Sequence, residues 1–165
     1  MTTTLVLAGI LAALIAAFFA IGPANVWKRI AGDPDLGPFE RSAPSRTGRP
    51  NDALMCTPGL CNGVEIDREL PGFDLEPEAL IARIDTALKE TGETAKRVDD
   101  GSNPARLRYV TWTARMGFPD TNSFEAVKLP DGGTGLVAYA RAQLGYSDAG
   151  NNKRRLNGIV KALQR

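Results

Sequence analysis

Residues 5–22 form an unbroken apolar run of 18. At 1.5 Å per residue such a helix spans about 27 Å, enough to cross a bilayer core. Pro23, Ala24, Asn25, Val26 and Trp27 follow, and the first charges are Lys28 and Arg29. Residues 32–50 carry four prolines among Gly, Ser, Asp and Arg, a composition that favours extended, solvated backbone. Beyond them the pattern becomes that of a folded unit. Leu80, Ile81, Ile84 and Leu88 recur at helical spacing, with Pro77 suited to the first turn and Gly92 to the end. Residues 107–113 and 123–129 read as strands; residues 130–133 make a hairpin, and residues 136–142 are its partner. Residues 64–66 and 94–98 are shorter strand candidates, and residues 115–120 read as a connection. Leu156, Ile159, Val160 and Leu163 place one face of a terminal helix against the sheet. The fold class expected is therefore α+β: an N-terminal transmembrane helix plus a small antiparallel β-meander covered by two helices. The domain layout is an anchor at 1–27, a Pro/Gly-rich linker at 28–50 and a globular domain at 51–165.

Net charge over the 165 residues is +1, with no basic stripe of the kind that grips several phosphates, so no nucleic-acid partner is expected. The chain contains no histidine. That removes Ser-His-Asp and Cys-His catalysis and nearly all catalytic zinc sites. We expect no enzyme, no metal and no cofactor. Cys56 and Cys61 are the two cysteines, with Pro58-Gly59 between them as a turn former. A disulfide there would imply an oxidising compartment; two free thiols are the rival reading.

The densest polar cluster is residues 144–155, between the last strand and the last helix. Its candidate residues are Gly145, Tyr146, Ser147, Asp148, Gly150, Asn152 and Arg155, with Asp120 from upstream. Ser147 or Asp148 can cap the terminal helix, and Asn152 and Arg155 can tie the loop to the meander through Asp120. A functional reading of the same residues is an anion or headgroup site, with Lys153, Arg154 and Arg155 at a helix N-terminus. Asp120 with Asp148 could also form a general acid/base pair.

These residues carry a family resemblance. Gly145, Tyr146, Ser147, Asp148, Gly150, Asn152 and Arg155, with Gly117, Phe118 and Asp120 upstream and the Cys56–Cys61 element, resemble domain-of-unknown-function family 1499, a bacterial and plastid group, over residues 51–165. Three departures stand out. Residues 140–143 replace the polar run usual before the glycine, Thr121 replaces a second acid, and the cysteine spacing is one residue shorter. The resemblance implies an α+β domain, often exported or membrane-tethered and, in photosynthetic organisms, associated with thylakoid membranes. It implies no reaction.

The expected function is a non-enzymatic, single-pass accessory, assembly or stabilising subunit of a larger inner-membrane complex, such as an electron-transfer or photosynthetic one. The partners are then the lipid bilayer and an integral membrane protein complex. The alternatives are a membrane-tethered binding module for a small anionic ligand or lipid headgroup and, more weakly, a carboxylate-dependent hydrolase. Lys28, Arg29 and Arg41 after the apolar run place the domain in the cytoplasm by the positive-inside rule, whereas a cysteine bond places it outside. We follow the cysteines to a bacterial inner-membrane protein with a periplasmic domain, the cytoplasmic orientation being the alternative. A cleaved signal peptide is the rival to the anchor; the absence of Lys or Arg before the apolar run argues against it.

Overall fold

The computed structural model describes residues 2–164. Helix α1 (Thr2–Ile21) is apolar on every side, and residues 3–21 are long and apolar enough to cross a membrane, as membrane anchors and signal sequences both are. No part of that stretch is buried in the protein. Gly22 then turns the chain at φ 87°, a conformation that a Cβ disfavours, and Pro23 opens a second helix, α2 (Pro23–Ala31). The stretch expected as one anchor through residue 27 is thus two helices meeting at an elbow.

The domain is built on one six-stranded sheet. Its strands are β1 (Asp52–Cys56), β2 (Arg68–Glu69), β3 (Thr94–Arg97), β4 (Arg106–Trp112), β5 (Pro119–Lys128) and β6 (Thr134–Ala142), in the order β2-β1-β6-β5-β4-β3. Strands β3 to β6 are the expected antiparallel meander. Strand β1 adds antiparallel to β6, and β2 adds parallel to β1 at the edge. Helices α3 (Pro77–Glu90) and α4 (Asn151–Leu163) cover one face, where Leu80, Ile84, Leu107, Phe124, Leu156 and Ile159 form the main core.

Three expectations need correction. Residues 64–66 form no strand; Val64 and Ile66 pack instead against a second core, and the short strand forms at Arg68–Glu69. Strand β1 was not expected, because Ala53, Leu54, Met55 and Cys56 are all buried and show no alternation. Asp120 belongs to β5 and not to the preceding connection.

The proline-rich segment also differs from a solvated spacer. It has no long regular element, but residues 34–41 lie as a strap across the sheet face opposite the helices. The Leu36 and Phe39 amides donate to the Thr121 and Ser123 hydroxyls at 3.1 and 3.2 Å, and the Thr121 hydroxyl donates to Pro34 O at 2.9 Å. Arg108 clamps Asp35 at 2.8 Å, and Arg141 donates to Leu36 O. Phe39 is buried against Tyr139, ring centroids 4.8 Å apart, beside Leu54, Cys56 and Val137. Prolines remove backbone donors, but they leave the remaining amides free to bond a sheet's side chains. Both faces of the sheet are therefore covered, one by helices and one by the strap and the loop that holds Cys61.

Candidate functional site

The late polar cluster folds into a buried network centred on Arg155. Its guanidinium reaches Asp120 Oδ2 at 3.0 Å, Glu93 Oε2 at 2.5 Å and Asn152 Oδ1 at 2.6 Å. Asp120 is 2% exposed and Asn152 fully buried. The helical register of α4 aims Asn152 and Arg155, three residues apart, at the sheet. Asn152 donates to Asn51 O at 3.1 Å, and Asn51 donates to Gly145 O at 2.9 Å. Asn122 donates to Thr111 Oγ1 at 3.0 Å and offers its carbonyl to Arg155 at 3.5 Å. The network thus joins α4, β4, β5, the residue just before β1, the residue just before β3 and the loop after β6.

The remaining candidate residues shape the loop. Gly150 holds the N-cap position of α4, and Asp148 two residues earlier supplies the capping carboxylate: its two oxygens accept from the Gly150 and Asn152 amides at 2.8 and 2.7 Å. Ser147 accepts only from the Ala149 amide and does not cap the helix. Gly150, at φ 74°, takes the left-handed conformation that carries the chain into α4. Gly145 is likewise at φ 88° and supplies the carbonyl that Asn51 reads. Tyr146 is 70% exposed and stands outside the network.

Burial drives the Asp120 carboxyl upward from its ordinary range, and the nearby Arg155 guanidinium offsets that only in part. Asp120 and Asp148 line one cleft of about 340 Å³ with Phe118, Leu144 and Thr113. On the other side, Glu93 and Arg155 line a second cleft of about 320 Å³. Two carboxylates, Asp120 and Glu93, bond one guanidinium here and Asp148 adds its negative charge nearby, so the site favours a cation or hydrogen-bond donor over an anion. The α4 N-terminus is already occupied by Asp148. Lys153 is paired with Asp67 at 3.2 Å, and Arg154 bonds the carbonyl of Ala149 in its own loop at 2.8 Å. An anion at this helix would have to displace these bonds and meet the Asp148 carboxylate. Arg155 holds Asp120 Oδ2 and pairs the carboxylate with a fixed cation. Among the described residues no group of three His, Cys, Asp or Glu side chains is arranged to hold a metal.

Asn51, Glu93, Thr111 and Asn122 belong to the network and were not anticipated. Asn122 had a signal: it falls two residues from Asp120 and two from the core residue Phe124, and so shares their face of the strand. Glu93 and Asn51 are remote in sequence and carry none.

Cys56 and Cys61 are paired at disulfide distance, with Cα atoms 6.2 Å apart. Cys56 lies in the second core, and the pair ties β1 to the loop that closes that core.

A second feature joins the domain to α1. Trp27 on α2 donates its ring N–H to Met116 O at 2.6 Å and stacks on Phe118 at 5.1 Å. Gln143 donates to Ala31 O and Asp33 O at 3.1 and 2.7 Å, closing the C-terminal end of α2. Gly117 sits so close to the elbow that a Cβ there would lie 2.7 Å from the Ala24 nitrogen. Short-range contacts thus hold α2 at both ends.

No curated protein matches this chain. The family model described as a protein of unknown function (DUF1499) matches residues 44–163, a segment that contains all six strands, α3 and α4 but neither α1 nor α2. That match spans most of the sequence, and the chain belongs to the DUF1499 family.

Proposed function

We propose that this protein is a non-enzymatic, membrane-anchored accessory or assembly subunit that presents its α+β domain to a larger inner-membrane complex. The observation that carries this reading is the fixed neck. Trp27, Gly117 and Gln143 hold the domain against α2, and Trp27 also packs on Phe18 of α1; such a restricted neck favours docking on a membrane-embedded partner more than a freely swinging tether would. The late polar cluster supports it from the other side. Its charged groups are spent on one another and on the backbone, so they stabilise the domain and leave little for turnover. The Cys56–Cys61 pair favours an oxidising compartment, and we place the domain in the periplasm on that ground.

Native separation of membranes solubilised in mild detergent tests the reading. The full chain should migrate with a larger integral complex; migration solely as a free monomer sinks the proposal. A reporter fused at the C-terminus, active only outside the cytoplasm, tests the orientation.

A further inference from the structure

Trp27 follows Phe18 by nine residues, which in one straight helix would separate them by about 13 Å along the axis. Their ring centroids are only 5.6 Å apart. The elbow at Gly22 and Pro23 therefore folds α2 back, and Trp27 sits level with the last turn of α1. Everything fastened to Trp27 shares that level: Met116 through its carbonyl, Phe118 through its ring and Gly117 against the elbow. The loop between β4 and β5 is thereby carried to the end of the apolar helix.

What this end exposes is unlike the rest of the domain. Ile30 is 69% exposed, Met116 40% and Phe118 36%, next to exposed Arg115, Lys28 and Arg29. Those three cations have no carboxylate partner among the described residues; Arg49, Arg68, Arg83, Lys96, Arg141, Arg154 and Lys161 have none either, and what marks this end is that three such cations stand together with exposed Ile30, Met116 and Phe118. Apolar tips rimmed by unpaired cations are the composition of a surface that enters the headgroup layer.

The geometry points to a second membrane contact: the β4–β5 loop and α2 seat the domain directly on an anionic lipid surface. Met116 and Phe118 enter the acyl boundary, and Lys28, Arg29 and Arg115 lie among the phosphates. The lipid surface is favoured over a protein partner because these groups sit level with the end of α1, where bilayer is the immediate neighbour. This inference rests on α1 spanning the membrane, as in the proposed function, and places an interaction that the accessory role alone does not require.

The test uses the full chain with Met116→Cys carrying a nitroxide, the native cysteines remaining paired, in phosphatidylcholine vesicles with and without phosphatidylglycerol. Asn62→Cys, on the Cys61 loop, is the reference position. Carbonate extraction reports separately whether α1 is inserted. At position 116 oxygen should collide with the label more often than a water-soluble nickel chelate, and the reverse should hold at position 62. Phosphatidylglycerol should deepen the immersion, and Arg115→Gln should lower the ratio of seated to unseated domain about fivefold in those vesicles. Two results overturn the inference while leaving the anchor intact: a chain that resists extraction with position 116 in water, or immersion indifferent to phosphatidylglycerol and to Arg115. Release by carbonate overturns the anchor and the inference together.

Discussion

Arg155→Met tests the reading of the late cluster as a structural knot. The substitution keeps a long side chain of roughly similar reach and removes the guanidinium. Asp120 then keeps its burial, with its side chain 3% exposed, and loses its cation; Asn152 Oδ1 loses a donor, while Glu93, 37% exposed, can turn to water. Breaking a buried pair from one side costs about 3–5 kcal/mol, most of it the uncompensated charge. For a domain of this size that is roughly a 10–20 °C fall in melting temperature. The deficit has a sign with pH. The Asp120 carboxyl is already raised by burial, and losing Arg155 raises it further. A carboxyl whose folded pKa exceeds its unfolded value contributes stability that is fully present below the unfolded pKa and is lost as pH rises through the folded one. The gap between variant and wild type should therefore be widest at neutral pH and shrink under mild acid. Adding Asp120→Asn should abolish that pH dependence and leave a residual loss of about 1 kcal/mol from Asn152. Thermal unfolding of the full chain in mild detergent, followed by circular dichroism at both pH values, measures all three variants. Equal deficits at neutral and mildly acidic pH would refute the account, as would a double variant with the same pH dependence as Arg155→Met.

Other expectations follow from the same contacts. Phe39→Ala should cost about 3 kcal/mol in chemical denaturation and expose the strap to protease, because it empties the contact with Tyr139. Gly117→Ala should shift Trp27 emission to the red and open residues 22–33 to cleavage, since the added Cβ collides with the elbow backbone at a position with φ 61°; unchanged emission would argue against the fixed neck. Replacing Cys56 and Cys61 by Ser should lower stability by about 2 kcal/mol or less, the closed loop being short. On the alkaline side, burial and the bond to Asp85 push the Tyr109 hydroxyl up to about 12, so its stabilising share is present at lower pH and lost as pH rises through that value; spectrophotometric titration should show a late phenol that Tyr109→Phe removes.

The apolar run, the meander, the two amphipathic helices and the cysteine turn were legible along the chain. Each is written in near neighbours: an uninterrupted hydrophobic stretch, a period of two, a period of 3.6, or a turn dipeptide between two cysteines. The cluster residues Asp148, Asn152 and Arg155 were legible as candidates because they fall in the densest polar stretch of the chain, and Asp120 because it offers Arg155 an upstream partner. Their roles were not. Whether Asp148 caps the helix or opens a site, and whether Arg155 meets Asp120 or a ligand, depends on how α4 settles on the sheet, which brings together Arg155 and Asp120, 35 residues apart. The buried strand β1 left no alternation to read, since both of its faces are covered. The strap escaped notice because prolines report a segment's inability to form ladders and say nothing of what its remaining amides will bond. The neck depends most on tertiary structure. The sequence places Trp27 just after the apolar run, but only the folded chain brings Met116, Gly117 and Phe118 to it. Local pattern determined which elements exist and which faces they bury; the pairing of distant polar groups and the angle between anchor and domain were decided by packing, where long-range contacts choose among arrangements that the local pattern leaves equal.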